Sequence, residues 1–332
     1  SLKWETTAQT DAGFDVTMFN GIFGFSFDYY KKITSNLLAS VPLPTSSGYG
    51  SVLRNIGEIH NTGIELSAYA SILRNAFKWD VNGQYSRNKN KVASLAGGSD
   101  ILSSGLGNPF GSAGINIARE GEPFGAFYGF KERGVIPETG QRNIIDTNNN
   151  GTISADDRVV LGSPHPDFMI GLTNTFSYKN FSLNVFVEGV FGNEVYWAGG
   201  SFMMNSFQRG HNQVADFFGN YWTEDHRDAK YPKVSSETFV QASDAFLYDA
   251  SYLRVKNVTF AYDIPAVSWF KGAQVYVSGM NLFTITDYPG VDPEVNTFAT
   301  DSPNVGQRLR MGIAGTVYPT AKTFIVGAKL KF

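Results

Sequence analysis

The run Asp146-Thr-Asn-Asn-Asn-Gly-Thr-Ile-Ser-Ala-Asp-Asp157 has the residue types and spacing of a calcium loop. Hard cations need several oxygens converging on one point, and a twelve-residue loop of this pattern supplies them from fixed positions. The candidate ligands are Asp146, Asn148, Asn150, the carbonyl of Thr152, and Asp157. Gly151 falls at the sharp turn, and Ser154 is placed to act directly or through water. Asp stands where a bidentate Glu is usual, so only two ligand carboxylates are certain and affinity for Ca²⁺ or Mg²⁺ should be weak. The competing reading is a polar turn whose Asn and Asp side chains bond their own backbone.

Other chemistry is sparse. Tyr196, Trp197, Tyr221 and Trp222 fall near a strand end or in a long loop. There they could stack on a sugar or a peptide, or serve as interface rings and loop packing. His60, His165, His211 and His226 are not paired at ligand spacing. No nucleophile-elbow motif frames a serine and no phosphate-cradling loop occurs, so no catalytic residue is assigned. With 27 Lys plus Arg against 30 Asp plus Glu, there is no general electrostatic case for nucleic-acid binding. The absence of Cys removes disulfides, thiol catalysis and thiolate metal sites.

The elements that must position these residues read as strands. Phe23, Phe25, Phe27 and Tyr29 alternate with Gly24, Ser26 and Asp28, directly after the hairpin signal Asn20-Gly21. Ile64, Leu66, Ala68, Ala70 and Ile72 oppose Glu65, Ser67, Tyr69 and Ser71; Trp79, Val81, Gly83 and Tyr85 oppose Asp80, Asn82, Gln84 and Ser86. Phe181, Leu183 and Val185 oppose Asn184 and Glu188, and Phe324, Val326 and Leu330 oppose Lys329 and Lys331. The second face is often small and polar, rich in Gly, Ser, Asn and Gln, which suits a wet lumen behind a lipid-facing wall. The 35 Gly and the 27 Phe and 16 Tyr agree with Gly-rich hairpins and interfacial rings. No stretch approaches the length of apolar residues that a transmembrane helix needs.

Strand-like runs cover roughly 3–19, 22–36, 52–73, 76–92, 166–178, 181–196, 249–264, 273–286, 306–316 and 321–332. The pattern predicts about ten strands of a transmembrane antiparallel β-barrel. Short turns near Arg74-Asn75 and Lys179-Asn180 alternate with long segments at 93–165, 197–248 and 287–305, as periplasmic turns alternate with extracellular loops. A short helix is expected within 201–221. Ser1 leads almost directly into a strand-like run, as in a chain that begins inside a fold or behind a cleaved signal. Strand edges in lipid must pair, so this wall is expected to need strands from elsewhere.

Several short motifs, in one order along the chain, resemble the C-terminal barrel part of SusC/RagA-type TonB-dependent outer-membrane transporters. They are Asn61-Thr-Gly-Ile-Glu65, Gly121-Glu-Pro-Phe-Gly-Ala-Phe-Tyr-Gly-Phe130, the Asp146 loop, Leu161-Gly-Ser-Pro-His-Pro-Asp-Phe168 and Tyr178-Lys-Asn-Phe181. Asp249-Ala-Ser-Tyr-Leu-Arg-Val-Lys-Asn-Val258, Asn281-Leu-Phe-Thr-Ile-Thr286, Tyr288-Pro-Gly-Val-Asp-Pro-Glu294, Tyr318-Pro319 and the last strand complete the series. The resemblance implies a barrel of about 22 strands with a plug inside it. It further implies a TonB box, a SusD-like surface lipoprotein as lid, and a bacterial outer-membrane location. The plug and TonB box are not recognisable within 1–332, which reads throughout as barrel. The resemblance also implies that an aromatic residue on the final strand, here Phe332, is read by the assembly machinery; the competing reading is a lipid-facing anchor.

The resemblance implies uptake of a large nutrient, an oligosaccharide or a peptide, driven through TonB and without catalysis. Two rivals stand beside it: a small passive porin, and a surface-exposed glycan-binding module or enzyme. A sealed ten-strand sheet would favour the porin, and solubility without detergent the module.

Overall fold

Tight turns set the architecture. Asn20-Gly21, Asn75-Ala76 and Lys179-Asn180 each reverse the chain between two long runs of alternating character. The result, in a computed structural model, is one antiparallel sheet of nine strands. The structure describes residues 2–331 except 43–45, 47, 50, 56, 96–97, 107–113, 205–211, 235–241, 267–270, 295–304 and 316–317. At 39–42, 51, 305 and 331 it describes the backbone alone.

The wall strands are β1 (Thr6–Met18), β2 (Phe23–Ser35), β3 (Gly57–Arg74), β4 (Phe77–Leu95) and β5 (Phe168–Tyr178). They continue with β6 (Phe181–Phe191), β7 (Tyr252–Ile264), β8 (Gly272–Thr286) and β9 (Thr323–Lys331). Neighbours in space follow chain order, and all pair antiparallel. No pairing among the described residues joins β9 back to β1, so the sheet is open. The short turns lie at one end and the long connections at the other. No described helix is long and apolar enough to cross a membrane.

Register separates the two faces. One rung runs Phe14, Phe27, Leu66, Tyr85, Ile170, Gly189, Leu253, Ile285. Another on the same face runs Trp79, Phe176, Leu183, Phe260, Val277, Val326. The intervening rung on the opposite face is Asp15, Ser26, Ser67, Gln84, Gly171, Glu188, Arg254, Thr284. The expected sets therefore hold: Phe181, Leu183, Val185, Phe324, Val326 and Leu330 share the apolar face, with Asn184, Glu188 and Lys329 on the other. Phe324 and Val326 are 72% and 80% exposed. Large apolar side chains left bare over a whole sheet face mark a surface covered by something apolar.

The hydrophobic core lies at the long-loop end, against the polar face. Ile59 and Val92, on that face of β3 and β4, pack with Leu95, Ala118 and Leu309. A second cluster joins Ile115, Phe127, Tyr196, Ala198, Ala242, Phe246 and Ile313. A third joins Val195, Trp197, Ala250, Tyr288 and Ala314. Small sheets carry these clusters: Ile101–Leu102, Asn116–Ala118, Ala126–Gly129 and Val159–Gly162 in one, Glu194–Trp197 between Leu247–Asp249 and Ile313–Ala314 in another. The long connections thus fold back onto the polar face, which is the inside.

Three expected strands need correction. The run 306–316 is not a wall strand: Val305–Arg308 is a helical turn, and Ile313–Ala314 pairs in parallel with Tyr196 and Trp197. Its alternation imitates a strand, but Gly312 at φ +64° breaks the extended backbone and Leu309 is fully buried in the mouth. The run 52–73 divides, because Ser51–Asn55 pairs with Leu38–Pro42 outside the wall. The run 181–196 divides at Gly192-Asn193, where β6 ends and Glu194–Trp197 begins. The helix expected within 201–221 is displaced to Ala198–Met203, followed by a 3-10 turn at Ala215–Phe217. Phe332 lies outside the described residues.

Candidate functional site

The polar face and the folded-in loops together make a lined mouth, and its side chains are placed by the wall ladder. Tyr252 and Arg254 sit on the inner face at the long-loop end of β7. The Arg254 guanidinium is only 3% exposed. It donates to Asp292 at 2.6 Å, Glu294 at 2.6 Å and the Thr284 hydroxyl at 2.8 Å. Lys256 adds bonds to Glu294 at 2.7 and 2.8 Å and lies 3.5 Å from Glu188. Burial works to raise the Asp292 carboxyl, but Arg254 and the Thr320 and Glu294 amides together hold it down at about 2. This network pins the segment around 292–294 to β7 and β8. Sequence reasoning did not single out the pair, although both halves fall inside motifs quoted above, Asp249 to Val258 and Tyr288 to Glu294.

A cavity of about 600 Å³ opens beside it, lined among others by Glu132, Arg142, Trp197, Asp216, Lys230 and Tyr248. Four of its charges form two ion pairs, and a fifth, Asp244, accepts the Glu132 amide at 2.9 Å. Arg142 donates to Glu132 at 2.9 Å and covers the Phe246 ring; Ser243 donates to the other Glu132 oxygen. Lys230 and the Tyr231 hydroxyl both donate to Asp216, at 2.5 and 2.8 Å. These bonds hold the Asp216 carboxyl below the usual carboxylate range, chiefly through Lys230. Four paired ions, the Asp244 carboxylate and one half-buried ring, Tyr248, suit a polar solute more than an apolar one.

The four rings singled out from sequence divide. Tyr196 is 1% exposed and packs against Phe127 and Phe246, with burial pushing its phenol far up. Trp197 is 6% exposed and meets Tyr248 and Tyr288 edge-on. Both are mainly packing residues, because the parallel pairing with Ile313–Ala314 draws Glu194–Trp197 into the core. Tyr196 has no open face to stack on, and Trp197 offers only an edge of the cavity wall. Tyr221 and Trp222 are half-buried; Tyr221 stacks on Phe217 at 5.6 Å. Trp222 donates to the Pro137 carbonyl at 2.9 Å.

Backbone bonds order the Asp146 loop. Asp146 accepts from the Asn150 and Gly151 amides at 3.3 and 2.7 Å, Asn148 from Asn150 at 3.0 Å, and Asn150 from Thr152 at 2.8 Å. Asn149 and Gly151 both have positive φ, +58° and +82°, which winds the loop tightly. Asp157 is fully buried and accepts from the Ser154, Asn148 and Thr147 amides, which, in that order of effect, hold its carboxyl below the usual range against the opposing pull of burial. Among the described residues no three His, Cys, Asp or Glu side chains gather round one point.

Comparison with known proteins follows from this geometry. Residues 1–282 match the family described as TonB dependent receptor-like, beta-barrel. TonB-dependent receptor P3 of Formosa agariphila is 36% identical over all of this chain and 34% of its own length. TonB-dependent receptor SusC of Bacteroides thetaiotaomicron is 30% identical, over all of this chain and 32% of its own. The structure of the RagAB peptide transporter superposes on the whole chain with a TM-score of 0.84 at 26% identity, covering 35% of that chain. Its open-open state gives 0.81 at 25% identity. The chain spans about a third of the length of the curated relatives it matches.

Proposed function

The chain belongs to the TonB-dependent receptor β-barrel family of SusC/RagA type, a family of outer-membrane transport proteins, and we propose that it forms the C-terminal wall and mouth of a nutrient importer. The reading is uptake of an oligosaccharide or peptide across the outer membrane, powered through TonB. The observation that carries it is the pairing of an apolar outer face with a polar inner one onto which the long loops fold. A wall built this way faces lipid on one side and water or a plug on the other. The end-to-end superposition on the RagAB peptide transporter supports the same reading. The remaining strands of a barrel of about 22, the plug, the TonB box and a SusD-like lid would come from outside residues 1–332.

The full-length receptor, in cells, should take up a fluorescent oligopeptide or oligosaccharide only while the proton gradient stands. Uptake indifferent to collapse of the gradient would return the protein to the passive-porin alternative.

Calcium in the Asp146 loop is a second, smaller reading. Asp146, Asn148 and Asn150 accept amide bonds from within the loop, yet each oxygen has a second lone pair for a cation. With the Thr152 carbonyl and Asp157 they make a weak structural site, Ca²⁺ being favoured over Mg²⁺ by the loop's length. Millimolar Ca²⁺ should slow protease cleavage within 146–157 in the full-length receptor, and Asp146→Ala should abolish that slowing. Equal cleavage with and without Ca²⁺ would leave the loop as a turn held by its own amides.

A further inference from the structure

Above the apolar band, the outer face of β2–β4 changes abruptly. On β4 the outward series runs Phe77, Trp79, Val81, Gly83, Tyr85 and then Arg87, Lys89, Lys91. On β2 it runs Phe23, Phe25, Phe27, Tyr29 and then Lys31. Register brings these cations together. Lys31 pairs with Thr62, which pairs with Lys89; Tyr29 pairs with Ile64, which pairs with Arg87; Ile33 pairs with His60, which pairs with Lys91. Successive outward residues of one strand stand about 6.6 Å apart, and two strand spacings separate Lys31 from Lys89 by roughly 10 Å. Four cations therefore occupy one small patch, and all four are exposed.

None of the four has an ion pair among the described residues. The one carboxylate on this face of the three strands above Tyr29 is Glu58; it is bonded to Ser35 at 2.7 Å and His60 at 2.6 Å and feels Lys31 only as a weaker, through-space charge. The acids Asp28 and Glu65 point to the inner face. A surface made only for water would intersperse signs. Here a single sign is concentrated where the apolar wall stops, at the long-loop end. That is the height at which the headgroups of the outer leaflet lie.

We propose that Lys31, Arg87, Lys89 and Lys91 form a binding site for the phosphate groups of an outer-leaflet glycolipid of the lipopolysaccharide class. Arg87 would take a phosphate oxygen pair through its fork, and the three lysines would act as point charges around it. Tyr29, level with Arg87, and Tyr85, one rung below it, would seat the upper acyl segments. The site rests on the reading of the apolar face as a membrane wall.

The test uses the full-length receptor in detergent, with native mass spectrometry counting bound lipid. The probes are purified lipopolysaccharide, the same lipid after phosphatase treatment, and inorganic phosphate. The phosphorylated lipid should bind at least about tenfold tighter than the treated one, since each lysine or arginine at an anionic surface contributes about fivefold. Combined Lys31→Gln, Lys89→Gln and Lys91→Gln should erase that preference, and Lys89→Gln alone should lower it severalfold. Lys78→Gln, on the inner face at the opposite end, should leave it unchanged. Equal binding of both lipids, an undiminished preference in the triple variant, or inorganic phosphate binding as tightly as the lipid would each overturn the site. A nitroxide at Phe27→Cys separates the two readings. Relaxation by nickel chelate rather than oxygen would mean that the wall itself is misread, whereas relaxation by oxygen with an indifferent triple variant would overturn the phosphate site alone.

Discussion

Arg254 shows how much a single side chain carries in the mouth. A guanidinium this buried is tolerable only because Asp292, Glu294 and Thr284 surround it. Arg254→Ala leaves the Asp292 carboxylate buried and unpaired, which should cost about 3–5 kcal/mol and lower the melting temperature of the full-length receptor in detergent. The pH dependence follows from the sign of the shift. Asp292 is depressed on folding, so its contribution is present above about pH 4, the range of a free carboxylate, and is lost as pH falls through about 2. Hydrogen exchange at 287–294 should therefore rise steeply between about pH 4 and 2 in the native receptor. In Arg254→Ala that segment should exchange freely already at neutral pH; an unchanged profile would mean that the network does not hold it. Gly312 is a second such point. Its φ is +64° and an added Cβ would fall 2.6 Å from Pro164 and 2.9 Å from the Phe127 ring. Gly312→Ala should loosen the mouth and expose Trp197 to a collisional quencher. Little of this was legible in the sequence: burial of Arg254 depends on a contact 38 residues along the chain, which no local pattern encodes. The Asp146 turn was legible, because its bonds span at most five residues among Asp146, Asn148, Asn150 and Gly151.

Period-two alternation made the wall strands readable where one face is uniformly apolar. Leu183 and Asn184 are adjacent, yet the ladder puts Leu183 beside Phe260 and Asn184 beside Thr259 and Thr175. Leu183→Lys would place a charge in hydrocarbon at a cost of about 2–4 kcal/mol if it lies near mid-membrane, whereas Asn184→Lys would face water. The yield of folded, heat-modifiable receptor in the outer membrane should fall sharply for the first and hold for the second; equal yields would mean the faces are reversed. One departure is instructive. Asn174 stands on the apolar face, in a rung with Val81 and Val185, and accepts from the Trp79 indole at 3.1 Å. That bond removes an unsatisfied amide oxygen from lipid, so Asn174 could pass as an exception only after the cross-strand neighbour was known. The misread run 306–316 failed for the opposite reason. Its alternation is real, but the residues it buries face a loop core rather than a membrane, and alternation alone does not say which.

At the scale of the molecule, the stable centre is not where a soluble β-protein keeps it. The packed clusters lie at one end of the sheet, and among the described residues the nine strands contribute to them only Ile59, Val92 and Leu95, at that same end. Such a sheet is stable only if lipid covers its outer face and if both edges are paired. β1 and β9 each present one side without a strand partner among the described residues, and every unpaired backbone group in hydrocarbon costs several kcal/mol. The right-handed twist that accumulates across nine antiparallel strands turns the two edges toward closure rather than toward a flat layer. In the full-length receptor, then, the amides of β1 that point away from β2 should exchange with solvent as slowly as those bonded to it. Produced alone, residues 1–332 should give edge-to-edge aggregates instead of a heat-modifiable barrel, because the free edges template each other. Both measurements address the same strand, Thr6–Met18. Rapid exchange of its outer amides in the intact protein, at rates typical of exposed loops, would mean that this edge stays open and that the wall closes elsewhere.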